Sequence, residues 1–182
     1  MEYVVLVDKK NNVLGTAPKL IVHNKNTPLH RGFSVFLFNK EGLLLLQQRS
    51  RSKKTWPLVW SNSCCGHPQL NEANIDAAKR RLHFELGIQA NDIYEILPNF
   101  SYRVEKNGIV ENEICPILVG FTNQIPTINK DEVNDIAWIA WNKFTQDAKN
   151  NPDGYSPWCV QETEQLKNNK KFLSLYEKFT IF

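Results

Sequence analysis

Gly66-His67-Pro68-Gln69-Leu70-Asn71-Glu72-Ala73-Asn74-Ile75-Asp76-Ala77-Ala78-Lys79-Arg80-Arg81-Leu82-His83-Phe84-Glu85-Leu86-Gly87 is the stretch on which the fold turns. From Glu72 to Leu86 the apolar residues Ile75, Ala78, Leu82 and Leu86 recur every three or four positions, which puts them on one face of an amphipathic helix. Gly87 supplies the stop, because glycine enters the left-handed region that ends helices at little cost. The helix also carries the cationic pair Arg80-Arg81.

On the N-terminal side of this helix, Phe33-Ser34-Val35-Phe36-Leu37-Phe38 and Leu43-Leu44-Leu45-Leu46-Gln47-Gln48 read as two strands joined by Asn39-Lys40-Glu41-Gly42. Farther out lie a strand Tyr3–Val7, a turn at Lys10-Asn11-Asn12 and a short helix from Pro18 to Asn24. On the C-terminal side, residues 93–102, 109–121 and 133–138 read as strands, and the segment after Pro157 as a terminal helix. Strands and helices are interspersed without strict βαβ alternation. The expected fold is therefore α/β (α+β), a mixed β-sheet sandwiched between α-helices.

The 182 residues suit one domain, spanning 1–182. With 42% hydrophobic and 23% charged residues the chain falls in the soluble globular range, and no apolar run nears the roughly 20 residues of a membrane span. Glu2 stands where a signal peptide carries basic charge, so a cytoplasmic location is expected. A formal charge of +3 is too small to argue for nucleic acid or membrane binding and is explained by an anionic small substrate. Cys64, Cys65, Cys115 and Cys159 are expected as free thiols, and the lack of a CxxC pair leaves a structural zinc finger unsupported.

Glu111 and Glu113 lie two apart in a strand-like run, so their carboxylates project from one face. Either that face is a solvated edge or a cation compensates the like charges. His23, His30 and His67, in or beside loops, supply the remaining ligands of a metal site; imidazole with carboxylate suits Mn²⁺ or Zn²⁺, and oxygen ligation alone suits Mg²⁺. Cys65 and His67, also two apart around Gly66, share one side of a Trp-rich loop. The basic run Arg49-Ser50-Arg51-Ser52-Lys53-Lys54 is either a solvated loop or a diphosphate-binding one.

Gly66, Glu72, Arg80, Glu85 and Gly87 also stand at the spacings of the Nudix box, GX5EX7REUXEEXGU. The match is degenerate, with Arg81 and Phe84 in place of two of its glutamates. Together with Trp56-Pro57, Ser61-Asn62-Ser63, Cys65-Gly66-His67-Pro68, Ile109-Val110-Glu111-Asn112-Glu113 and Ser156-Pro157-Trp158, it makes nearly the whole chain resemble the type 1 isopentenyl diphosphate isomerases of the Nudix superfamily. The resemblance implies a layered Nudix-like fold and conversion of isopentenyl diphosphate to dimethylallyl diphosphate. It implies that Cys65 and Glu113 are the acid/base pair, with Tyr102 near the glutamate and Trp158 over the isoprene unit. It also implies a divalent ion on His23, His30, His67, Glu111 and Glu113, a diphosphate-associated Mg²⁺ contacted by Glu85, and diphosphate binding by Arg49, Lys53 and Arg81. The implied partner is a small prenyl diphosphate, the implied state a monomer, and neither flavin nor nicotinamide is required. Two other readings compete: a Nudix diphosphohydrolase, which the lost box glutamates disfavour, and a single-stranded RNA-binding module with Trp56 and Trp60 as stacking platforms, which the Glu111/Glu113 pair disfavours.

Overall fold

The computed structural model describes residues 2–180, so the expected domain 1–182 extends past it by Met1, Ile181 and Phe182. The chain opens with a hairpin of β1 (Tyr3–Val7) and β2 (Val13–Pro18), followed by the one-turn helix α1 (Lys19–Val22) and the two-residue strand β3 (His30–Arg31). Next come β4 (Phe33–Phe38), β5 (Leu43–Arg49), β6 (Trp60–Ser61) and β7 (Cys64–Gly66), then helix α2 (Asn74–Leu86). Strands β8 (Asp92–Leu97), β9 (Ser101–Lys106), β10 (Ile109–Ile114), β11 (Ile117–Phe121) and β12 (Val133–Ala140) follow. Three helices close the chain: α3 (Trp141–Asn150), α4 (Pro157–Leu166) and α5 (Lys170–Phe179). No helix among the described residues is long and apolar enough to cross a membrane.

The strands form two sheets rather than one: β2-β1-β3-β10-β9, and β12-β5-β4-β11-β8 with β6 and β7 attached to β5 and β4. The two runs read as continuous strands are each divided between them. Residues 93–102 split at Pro98-Asn99-Phe100, and residues 109–121 split at Cys115-Pro116. Proline has no N–H to give a ladder, so it marks where pairing breaks. Because β3 runs parallel to β10 and β4 parallel to β11, the break at Pro116 is matched by one at Gly32, and the two stretches leave the first sheet together and join the second. This seam is where the site is built.

Both faces of the larger sheet are covered, which is why β4 reads as an unbroken apolar run. Phe33, Val35 and Leu37 face α2 and its Ala78, Leu82 and Leu86. Phe36 and Phe38 face the other way, into a core shared with Phe144, Trp158 and Phe172 of the C-terminal helices. Ser34 shares that second direction by the two-residue alternation of a strand. Helix α2 ends as expected at Gly87, whose φ of 66° is left-handed and whose N–H bonds the carbonyl of His83. The segment after Pro157, read as one helix, is two, and α3 before it was not anticipated.

Candidate active site

The three histidines come from three separate elements and meet in one cluster. His23 follows α1, His30 lies on β3 in register with Glu113 of β10, and His67 follows β7. One ligand atom from each of His23, His30, His67 and Glu113 lies within 4.8 Å of all the others. Glu111, on the same face of β10, reaches the cluster through His23, its Oε2 3.0 Å from Nε2. The same-face reading of Glu111 and Glu113 is thus realised in a buried strand, not at a solvated edge.

The donors are oriented as metal ligands are. Nδ1 of His23 meets the carbonyl of Lys19 at 3.1 Å and Nδ1 of His30 that of Pro28 at 2.9 Å, which fixes both rings and leaves each Nε2 for the centre of the cluster. Those two Nε2 atoms, His67 Nδ1 and Glu111 Oε2 are buried and have no hydrogen-bond partner among the described residues. Unsatisfied buried polar atoms are costly, and the Nε2 atoms of His23 and His30, set beside the carboxylates of Glu111 and Glu113, fit a bound cation. A donor set of three imidazoles with carboxylate suits a divalent transition ion. Gly32 makes the room: a Cβ there would lie 2.1 Å from Glu113 Oε2. Burial holds the His67 imidazole down at about 4 against the pull of Glu113, whereas for His30 burial is outweighed by Glu113, the Pro28 carbonyl and Glu111 together, which raise the pKa.

A cavity of about 400 Å³ opens beside this cluster, lined by a group with Cys65, Tyr102, Glu113 and Trp158 and by an ion-paired group with Lys19, Lys53, Arg81 and Glu132. Glu113 has both oxygens engaged: Tyr102 donates its hydroxyl to Oε2 at 3.0 Å, and His67 Nε2 lies 3.0 Å from Oε1. Burial raises the Glu113 carboxyl, but the hydrogen bonds and charges of His30 and His67 outweigh it and take the group well below the usual carboxylate range. Cys65 donates to Asn62 Oδ1 at 3.1 Å and lies 3.4 Å from Ser34 Oγ; burial pushes its thiol up to about 12. Trp158 stacks on Tyr102 with ring centres 5.8 Å apart and meets Trp56 edge-on at 5.2 Å.

Arg49 is spent on structure as well as charge. Its guanidinium donates to the carbonyls of Thr55 and Trp56 and lies 5.2 Å over the Trp158 ring. It thereby clamps a loop in which Trp56 (φ 44°) and Leu58 (φ 59°) are both left-handed, a strain of about 1–3 kcal/mol per residue that persists only where surroundings enforce it. Lys53 pairs with Glu132. Arg81, almost fully buried, holds Glu132 and Glu2 at 3.0 Å each and grips Glu85 Oε1 at 2.5 and 3.0 Å. Glu85 is therefore packed against Arg81, apart from the histidine cluster. Lys19, bonded to Glu2 at 2.7 Å, is a cavity cation that the sequence did not reveal, as are the acids Glu2 and Glu132.

Residues 28–159 match the NUDIX domain family, and two solved structures share the fold. DR0079 from Deinococcus radiodurans superposes with a TM-score of 0.65 at 17% identity, covering 82% of this chain and 90% of that one. The MutT protein from Methanosarcina mazei Go1 gives 0.60 at 17%, covering 76% and 92%. Together with a box that lacks glutamates at positions 81 and 84, this defines a NUDIX-fold domain whose histidine–glutamate cluster, able to hold a metal ion, takes only His67 from within the box. Curated relatives narrow the class. The isopentenyl-diphosphate Delta-isomerase of Saccharopolyspora erythraea is 46% identical over 167 residues, 91% of this chain and 86% of the relative, and that of Salmonella typhi is 42% identical over 178 residues, 97% and 98%. The chain belongs to the isopentenyl-diphosphate Delta-isomerase family.

Proposed function

We propose that the chain interconverts isopentenyl diphosphate and dimethylallyl diphosphate, with Cys65 and Glu113 as the acid/base pair. The observation that carries this is their meeting in one cavity that is also lined by Lys19, Lys53 and Arg81, so that an alkene and a diphosphate tail are each met by matching chemistry. The part-buried thiol carries its proton, and the carboxylate that accepts from Tyr102 is ionised. Cys65 donates to the terminal alkene carbon; the tertiary carbocation formed then loses a proton from the adjacent methylene to Glu113. Trp158 faces that cation, a contact worth about 2 kcal/mol or more in a desolvated site. Tyr102 keeps Glu113 aimed, and the aromatic wall of Trp158, Tyr102 and Trp56 excludes the water that would trap the cation.

His23, His30, His67, Glu111 and Glu113 would hold Mn²⁺ or Zn²⁺, and Glu85 would contact a Mg²⁺ that comes with the diphosphate. Such an ion at the histidine cluster supplies the positive charge that fixes the Glu113 carboxylate beside the substrate. Arg49, Lys53 and Arg81 bind the diphosphate, with Lys19 added to them. The isomerisation is redox-neutral, and an acid/base pair of Cys65 and Glu113 calls on neither flavin nor nicotinamide. All these groups lie within one chain, which supports a single catalytic unit over 1–182 acting as a monomer, and its free thiols support a cytoplasmic setting.

The test is to follow isopentenyl diphosphate by proton NMR with a phosphate assay alongside. Double-bond migration with no phosphate released, from this substrate or from a panel of nucleoside diphosphate compounds, is expected. Phosphate release as fast as migration would restore the diphosphohydrolase.

A further inference from the structure

A second cavity, of about 440 Å³, adjoins the first and has no part in this mechanism. Glu2, Lys19, His67 and Arg81 line both, so the two cavities share these side chains as a common wall. Glu2 ties that wall together, its Oε2 accepting from Lys19 Nζ at 2.7 Å and its Oε1 from Arg81 Nη1 at 3.0 Å. To it the second cavity adds another cation, Arg80 of α2, and the apolar residues Tyr3, Val5 and Leu70. Tyr3 and Val5 stand two apart on β1 and so share a face of the first sheet, while Leu70 comes from the loop before α2. Tyr3 and Leu70 are each half exposed. Of the carboxylates paired with the three cations, only Glu2 is in this lining; Glu72, Glu85 and Glu132 are not. The cavity thus sets uncompensated positive charge beside apolar surface.

That combination fits an amphiphilic anion, whose head takes charge-assisted hydrogen bonds and whose tail covers apolar carbon. The reaction in the neighbouring cavity narrows the class. Its product is an allylic diphosphate, which loses diphosphate readily because the cation left behind is delocalised. The class of reaction that consumes such a product is alkylation of a second alkene by that cation, and it yields longer prenyl diphosphates with the same head group. We propose that the second cavity binds prenyl diphosphates of ten or more carbons and that these inhibit the enzyme. Arg80, Lys19 and Arg81 take the diphosphate, and the chain lies over Tyr3, Val5 and Leu70. Lys19 and Arg81 cannot serve two diphosphates at once, so the inhibition is competitive with isopentenyl diphosphate. The prenyl identity of the tail rests on the isomerase reading above, whereas the fit to an amphiphilic anion rests on the lining alone.

The test is calorimetric titration of metal-loaded enzyme with geranyl diphosphate, the ten-carbon compound, and with inorganic diphosphate. Geranyl diphosphate should bind at least about tenfold more tightly, a gain that burial of roughly two CH₂ groups supplies. The double variant Tyr3→Ser, Leu70→Ser should lose most of that gain. It should keep its Kd for inorganic diphosphate, and its kcat and KM for isopentenyl diphosphate, within about twofold of wild type, because both side chains are half exposed and neither belongs to the reacting groups. In wild type, geranyl diphosphate should raise the apparent KM at unchanged kcat. Equal affinity for the two probes, a gain that survives in the double variant, or inhibition that lowers kcat would overturn the proposal. Wild type that moves no double bond would strike the isomerase reading, and the calorimetric comparison would still decide whether the second cavity takes the chain.

Discussion

Two groups of side chains line the cavity, a reacting end around Cys65 and Glu113 and a cationic end around Lys53 and Arg81, and they are built on opposite principles. At the cationic end the charges are already answered: Glu2 pairs with Lys19 and Arg81, Glu132 with Lys53 and Arg81, and Glu85 with Arg81. At the reacting end buried nitrogen and oxygen atoms of His23, His30, His67 and Glu111 have no hydrogen-bond partner among the described residues. The first end is complete, and an incoming diphosphate must take cations from the acids that hold them. The second gathers donor atoms that a cation would satisfy. Binding and chemistry should therefore fail separately, with changes at the cationic end moving KM and changes at the reacting end moving kcat or metal content.

The largest effects belong to the reacting end. Cys65→Ala or Glu113→Gln should lower kcat by ~10² to 10⁴, the contribution of a positioned proton-transfer group, measured from NMR time courses. A variant keeping more than about a tenth of wild-type kcat would remove that residue from the role. His23→Ala, His30→Ala and His67→Ala should each lower bound metal by elemental analysis and lower activity with it, because each leaves the cluster a donor short. Full metal content in all three would place the ion elsewhere.

The cationic end gives smaller and more divided results. Lys53→Ala should raise KM about tenfold, the worth of one charge-assisted hydrogen bond, with kcat nearly kept. Arg81→Ala should raise KM too, but it also strands Glu85 as a buried unpaired carboxylate, so denaturant melts should show about 3–5 kcal/mol of lost stability that Lys53→Ala does not share. The smallest effect runs the other way. Glu2 is about half exposed and competes with the diphosphate for Lys19 and Arg81, so Glu2→Gln should lower KM, by about two- to fivefold at most for so solvated a pair. A raised KM in Glu2→Gln would mean that Glu2 helps binding, and the contrast between the ends would lose its basis.

The contrast also marks what the sequence could reveal. Local signals carried far: the α2 face, its Gly87 stop, the β4–β5 pair and the shared face of Glu111 and Glu113 all follow from residue spacing. The division into two sheets was missed because Pro98 and Pro116 sit within otherwise strand-like runs, where one missing N–H decides which sheet each half joins. The acids of the cationic end were missed because their partners are remote in the chain, Glu2 79 positions from Arg81 and Glu132 51 positions from it. Glu162, fully buried in α4, was hidden in another way. In a helix that mixes Glu and Gln nothing local separates the one buried carboxyl from its solvated neighbours Gln161 and Glu164.

The central claim, a proton added to an alkene at the reacting end while the diphosphate stays intact, is tested most directly in D₂O. Metal-loaded enzyme equilibrated in D₂O and given isopentenyl diphosphate should form dimethylallyl diphosphate with deuterium in a methyl group, read by NMR, and should form none after chelation. Dimethylallyl diphosphate free of deuterium, or loss of the diphosphate in place of double-bond migration, would contradict the account.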